Sequence, residues 1–207
     1  YDTIRDVILP GAPLTGPMPP IFADAYPDDI GAPVFDLAKA KEHVDASSYA
    51  GSGPIDIEIM YVAGLAFEEE IGLLMKSILD TIGFNTILKP EPWNRMTELA
   101  ADVNTTPAIN QVFYGATYPS PDTFFFTQYH SRAAGTWASM EWVLSDEVDA
   151  MIDEARTISD VERQNAIYKS LQRKLVEDQV DGFVVTQHRR QAVQGCLLGC
   201  TWVRLPC

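Results

Sequence analysis

Hydrophobic and polar positions change period along this chain, and each change marks an element. Ile55, Ile57, Ile59 and Tyr61 alternate with Asp56, Glu58 and Met60, the two-residue period of a strand with one wet face. Phe67, Ile71, Leu74, Met75, Ile78, Leu79 and Ile82 then recur at spacings of three and four, one apolar stripe on a helix. Gly83 stands where a left-handed cap would end that helix, and Glu68, Glu69 and Glu70 fall in its first turn, where the dipole favours acids. Thr86, Ile87 and Leu88 predict a second strand, completing a βαβ unit. Pro92 introduces a helix over 93–103, residues 109–114 predict a third strand, and Tyr118-Pro119-Ser120-Pro121 forces a turn.

Asp122 is the expected cap of a short aromatic helix through Phe124, Phe125 and Phe126. After an irregular stretch over 131–145 come two more helices, one through Val148, Met151, Ile152 and Ala155, the next through Ile167, Leu171 and Leu175. Ser145 and Ser159 are their expected N-caps, and residues 182–185 finish as a strand. Upstream, the first 33 residues hold seven of the fourteen prolines and predict an extended, loop-rich opening. Asp36 caps a short helix through Leu37, Ala40 and His43, and Gly51-Ser52-Gly53-Pro54 is a turn. The whole is an α/β domain with a small mixed sheet flanked by helices.

Composition narrows the function. The 29 acidic and 15 basic residues among 207 give a net charge of -14, which repels phosphate backbones and anionic lipid and argues against nucleic-acid and membrane-surface roles. The uncharged stretches 7–23 and 103–121 carry prolines throughout and do not predict a membrane span. No signal peptide is visible, and the chain begins at Tyr1, which fits a processed product or a piece of something longer. Cys196, Cys200 and Cys207 are an odd set, so at least one thiol is unpaired within the chain. With His188 they match no common zinc spacing, and no metal or cofactor is expected.

Catalytic signatures are absent: no phosphate-binding loop, dinucleotide fingerprint, zinc-protease helix or nucleophile elbow is present. His43, His130 and His188 are scattered and fit solvated or hydrogen-bonded histidines. The acids between Asp146 and Glu162 lack the spacing of a calcium loop and predict a solvated face. What remains is aromatic. Tyr114, Tyr118, Phe124, Phe125, Phe126, Tyr129, Trp137 and Trp142 crowd into about thirty residues, and pattern alone divides them evenly between core packing and the wall of a cleft.

The order of segments also resembles a known family. Asp2-x-Ile4-x4-Leu9-x-Gly11, then Gly16-Pro17-x-Pro19-Pro20, is similar to the opening of this lobe in the extracellular solute-binding proteins of ABC importers, in the group that includes dipeptide- and oligopeptide-binding proteins. Phe35-Asp36-x2-Lys39-Ala40-Lys41, Glu69-x-Ile71 through Leu79 to Ile82-Gly83, Glu147-Val148-Asp149-x-Met151-Ile152-x2-Ala155, and Asp160-x3-Arg163-x4-Tyr168-x3-Gln172-x4-Glu177-Asp178 resemble later segments in the same order. The resemblance implies a periplasmic-binding-protein-like lobe: residues 1–181 as the C-terminal ligand-binding lobe of a protein about twice this length, and 182–207 as a segment returning towards an absent first lobe. It also implies a location in the periplasm or on the outer face of the cell membrane, a small-molecule or peptide-like ligand, and a membrane permease as partner.

Peptide binders of that family carry a "W.aD...P" motif whose Asp holds the ligand's amino group. The matching residues here are Tyr114-Gly115-Ala116-Thr117-Tyr118-Pro119-Ser120-Pro121, with Tyr114 at the Trp and Thr117 at the Asp. A neutral hydroxyl cannot make the charge-assisted contact an ammonium needs, which speaks against free-amino peptides and leaves the binding architecture intact. Tyr114, Thr117 and Tyr118 are the expected ligand contacts, with Trp137 next, and no catalytic residue is expected. The competing readings are a stand-alone hydrolase using paired carboxylates, which a buried titratable pair in a cleft would favour, and a non-transport interaction domain.

Overall fold

The structure, a computed structural model, describes residues 1–14, 16–31 and 33–187. His188, the three cysteines and the expected return of the chain beyond Gln187 lie outside the described residues. In chain order the elements are β1 (Gly11–Pro13), α1 (Leu37–Ala46), β2 (Ile55–Val62), α2 (Ala66–Leu79), β3 (Phe84–Glu91), α3 (Trp93–Ala100), β4 (Ile109–Asn110), α4 (Asp122–Tyr129), α5 (Asp146–Thr157), α6 (Val161–Glu177) and β5 (Val185–Gln187).

The strands fall into two sheets. β3, β2 and β4 form a parallel sheet with β2 in the middle, and β1 pairs antiparallel with β5. The βαβ unit is present, with Ile55 opposite Phe84 and Val62 opposite Glu91. The expected wet face of β2 holds only over its first half. Ile59, Met60 and Tyr61 are buried on both faces, because β4 joins the sheet at Ile59 and Met60 and helices cover it there. Met60 packs with Met96 and Ala100 of α3 and with Met140.

The main core lies among α4, α5 and α6, where Phe124, Phe125, Tyr129, Val148, Ile152, Ala155, Tyr168, Leu171 and Leu175 join Met18 and Ala25 of the proline-rich opening. That opening is less irregular than expected, with helical turns at Ile4–Ile8 and Ala23–Ala25 around β1, and it is packed: Gln172 Nε2 donates to the Ala25 carbonyl at 2.8 Å, and Met18 is fully buried.

Capping follows side-chain geometry. Asp36 accepts from the Lys39 amide and Ser145 from Val148. At α6 the cap is Asp160, accepting from Arg163, rather than Ser159, so the helix starts one residue later than expected. Asp122 lies inside the first turn of α4 after Pro121 and makes no capping bond, because its carboxylate is drawn to Tyr118 and Arg156. Gly83 closes the α2 segment at φ 110°, the left-handed position only glycine takes without strain.

Candidate functional site

The parallel strands deliver three segments to one edge: residues 63–65 after β2, Pro92 and Trp93 after β3, and residues 111–118 after β4. The carboxyl end of parallel strands is where open α/β sheets bind ligands. The third segment differs from the strand expected over 109–114. Only Ile109 and Asn110 pair with β2, and one more ladder bond runs from the Gln111 amide to the Met60 carbonyl at 2.9 Å. The chain then leaves the sheet, because Tyr114 and Thr117 are held instead by Thr123 on α4.

Departure of the strand leaves a vacant ladder position, and Glu68 fills it. Met60 and Val62, two residues apart, face the same neighbour. With no strand beyond Gln111 to receive it, the Val62 amide donates to Glu68 Oε2 at 2.7 Å, and Gln111 Nε2 donates to the Glu68 carbonyl at 2.9 Å. Glu68 is buried, and burial pushes its carboxyl above the usual range against the lowering effect of the Val62 amide. Dipole compensation therefore describes the exposed Glu69, whereas Glu68 is a structural latch under the site.

The four expected contact residues separate into a hydroxyl network and an aromatic row. The Tyr114 hydroxyl donates to the Thr123 carbonyl at 3.0 Å and lies 3.2 Å from Thr123 Oγ1. The same Oγ1 accepts from the Thr117 amide at 3.2 Å and shares a 2.9 Å hydrogen bond with Thr117 Oγ1, in which either hydroxyl can donate. Since Thr123 is fully buried and Thr117 exposed, the network fixes the loop from inside and leaves Thr117 on the surface. Tyr118, 42% exposed, donates its hydroxyl to Asp122 Oδ2; burial and that carboxylate push its pKa up to about 12, so it stays a neutral donor.

Trp137 joins Tyr114, their rings 5.9 Å apart at 36°. On its other side it meets Trp93 at 5.2 Å and 61°, and Tyr114 meets the buried Phe124 edge-on at 5.6 Å. The row runs from Trp93, 49% exposed, down into the core. Phe67 and Phe113, edge-on at 5.2 Å, occupy the same end of the sheet. Trp93 was legible only as a helix start; the signal that reveals it is its place directly after a parallel strand. Trp142 is structural, its indole donating to Thr106 Oγ1 at 3.0 Å.

A second cluster lies elsewhere. Glu141 and Asp181 line a cavity of about 380 Å³ with Met75, Asn110, Met140 and Gln179. Burial, and for Glu141 also the Asp181 charge, pushes both carboxyls up, while the bond from Tyr129 to Asp181 Oδ2 at 2.7 Å opposes the rise at Asp181. Glu141 Oε2 and Asn110 Oδ1 are buried without hydrogen-bond partners. His130 is buried as well, where its Nδ1 accepts from the Arg132 amide at 3.1 Å and caps a helical turn. Among the described residues, no three His, Cys, Asp or Glu side chains are grouped to hold a metal, and no helix is long and apolar enough to cross a membrane.

A parallel three-stranded sheet with helices on its faces and an aromatic row at its carboxyl edge is a periplasmic-binding-protein-like fold, and solved structures share it. The ABC transporter-associated periplasmic binding protein DppA of Helicobacter pylori, in complex with the peptide STSA, superposes with TM-score 0.72 at 19% identity, over 86% of this chain and 34% of that one. The oligopeptide-binding protein AppA of Bacillus subtilis, with a nonapeptide, gives 0.72 at 20% identity over 90% and 39%. NikA of Brucella suis, in complex with Fe(III)-EDTA, gives 0.68 at 19% over 90% and 39%. The chain thus spans between a third and two fifths of the length of these relatives. Over residues 1–136 the sequence matches the family described as bacterial extracellular solute-binding proteins, family 5 Middle, and the protein belongs to that family. Comparison with curated protein sequences gives no match.

Proposed function

We propose that the chain is the C-terminal lobe, over residues 1–181, of the solute-binding component of an ABC importer, with 182–207 returning towards a first lobe. The lobe binds a small organic or peptide-like solute in the periplasm or at the outer face of the cell membrane and presents it to a membrane permease. The observation that carries this is the row Trp93–Trp137–Tyr114 at the carboxyl edge of the sheet beside the exposed Thr117. Tyr114, Trp137 and Trp93 supply apolar walls, while Thr117 and Tyr118 supply neutral hydrogen bonds that orient the ligand. Relatives bound to peptides and to Fe(III)-EDTA are consistent with a range of ligand chemistry in this fold.

A neutral anchor at Thr117 favours a ligand without a free ammonium at that end. Calorimetric titration of the full-length protein with N-acetylated and free-amino peptides of the same sequence tests this. The reading expects the blocked peptides to bind more tightly and Trp137→Ala to weaken them; stronger binding of the free-amino series, unaffected by Trp137→Ala, would refute it. The isolated lobe is expected to bind weakly, because one wall cannot enclose a ligand.

The half-buried carboxylates Glu141 and Asp181, which line one cavity, favour a second reading, a carboxylate hydrolase. The pair shares no residue with the aromatic row. Hydrolysis of a glycoside or ester panel that Glu141→Gln and Asp181→Asn both abolish would support it, and transport-linked binding with no turnover would exclude it.

A further inference from the structure

Just beyond Thr117 and Tyr118 the chain borders another cavity, of about 300 Å³, lined by Ser120, Asp122, Arg156, Gln164 and Tyr168. Tyr168 on α6 is fully buried, its ring stacked on Phe125 at 5.0 Å and 13°, and its hydroxyl has no hydrogen-bond partner. A buried phenol left without an acceptor is costly, so the site calls for an oxygen opposite it. Burial, reinforced by the charge of Asp122, holds the Tyr168 pKa well above the usual tyrosine value, and the group remains a donor.

The charges in the lining cancel. Asp122 Oδ1 lies 3.2 Å from Arg156 Nε, and the Arg156 guanidinium is held over the Phe126 ring at 3.9 Å. An anion would meet Asp122 and a cation would meet Arg156, so neither sign gains. The remaining polar groups are neutral. Gln164 Nε2 donates to the Ala155 carbonyl at 2.7 Å, which leaves Oε1 as that side chain's acceptor. Ser120 Oγ receives only a long 3.4 Å contact from the Asp122 amide and keeps its own proton to donate.

We infer that this cavity is a second binding site, for a small uncharged molecule bearing a hydroxyl or primary amide. Tyr168 donates to the ligand's oxygen, Gln164 accepts from its O–H or N–H, and Ser120 serves in either sense. The volume is at the lower limit of small-molecule pockets. None of the aromatic row lines the cavity, but Asp122, which does, also accepts the Tyr118 hydroxyl, so the site adjoins the one in the proposed function and is tested by its own lining residues.

The test is nuclear magnetic resonance of the full-length protein, following the Gln164 side-chain amide during titration with glycerol and with acetamide, and with phosphate and ethylammonium as charged comparisons. Saturable shifts with a neutral probe alone are expected. Tyr168→Phe, which keeps the stacked ring, should weaken that binding about 3- to 10-fold, the worth of one neutral hydrogen bond. Ser120→Ala, on the exposed loop, should weaken it in the same direction and serves if Tyr168→Phe does not fold. Absence of saturation with both neutral probes, an equal response to the charged ones, or unchanged affinity in both variants would overturn the inference.

Discussion

Replacing Thr123 by valine removes one hydroxyl at nearly constant volume and tests whether that group organises the loop from Tyr114 to Tyr118. Thr123 Oγ1 contacts the Thr117 amide at 3.2 Å, Thr117 Oγ1 at 2.9 Å and the Tyr114 hydroxyl at 3.2 Å. Tyr114 keeps its 3.0 Å bond to the Thr123 carbonyl in the variant, and Thr117 is exposed, so its freed groups turn to water. The loss is therefore two neutral hydrogen bonds of about 0.5–1.5 kcal/mol each, partly offset by the added buried methyl, or about 0.5–2 kcal/mol in all. Urea unfolding measures the total, with Thr123→Ser as the control that keeps a hydroxyl. Amide exchange at Thr117 should rise about ten-fold in the valine variant, since that amide loses its partner. Stability of Thr123→Val within about 0.3 kcal/mol of wild type, with Thr117 protection unchanged, would refute the network.

Further outcomes follow from the same contacts. Burial raises the Glu141 and Asp181 pKa values above their unfolded values, so the fold favours their protonated forms; this stabilisation is complete in acid and is lost as pH rises through the raised values. Urea stability should thus fall between about pH 4 and about pH 8, and Glu141→Gln should flatten the profile; an equally steep profile in the variant would contradict this. Thr117→Asp in the full-length protein should raise affinity for amine-bearing ligands about ten-fold or more and weaken neutral or anionic ones, as read by competition across a peptide panel. Leu171→Ala, at a fully buried position in the α6 core, should cost about 2–5 kcal/mol in chemical denaturation.

Elements with a sustained period were legible from the chain alone. The alternation from Ile55 to Tyr61 and the stripe from Phe67 to Ile82 became β2 and α2, because each carries its own burial pattern locally. Asp36 and Ser145 were legible as caps because a cap bonds within three residues. Tertiary facts were not. The burial of Glu68 depends on β4 leaving the sheet, which local propensity over 109–114 does not encode. Glu141 and Asp181 stand forty residues apart and meet only through packing. Trp93 reads as a helix start until β3 brings it beside Trp137. The Tyr114–Thr117 loop was found by resemblance, and its tie to Thr123 was hidden because a threonine six residues on carries no signal of its own.

Whether the aromatic row holds a solute is tested by native mass spectrometry of the full-length protein purified from its own cell. A co-purified small-molecule adduct is expected on the wild-type protein and is lost in the folded double variant Tyr114→Ala/Trp137→Ala. An adduct retained at equal occupancy by that variant would contradict it.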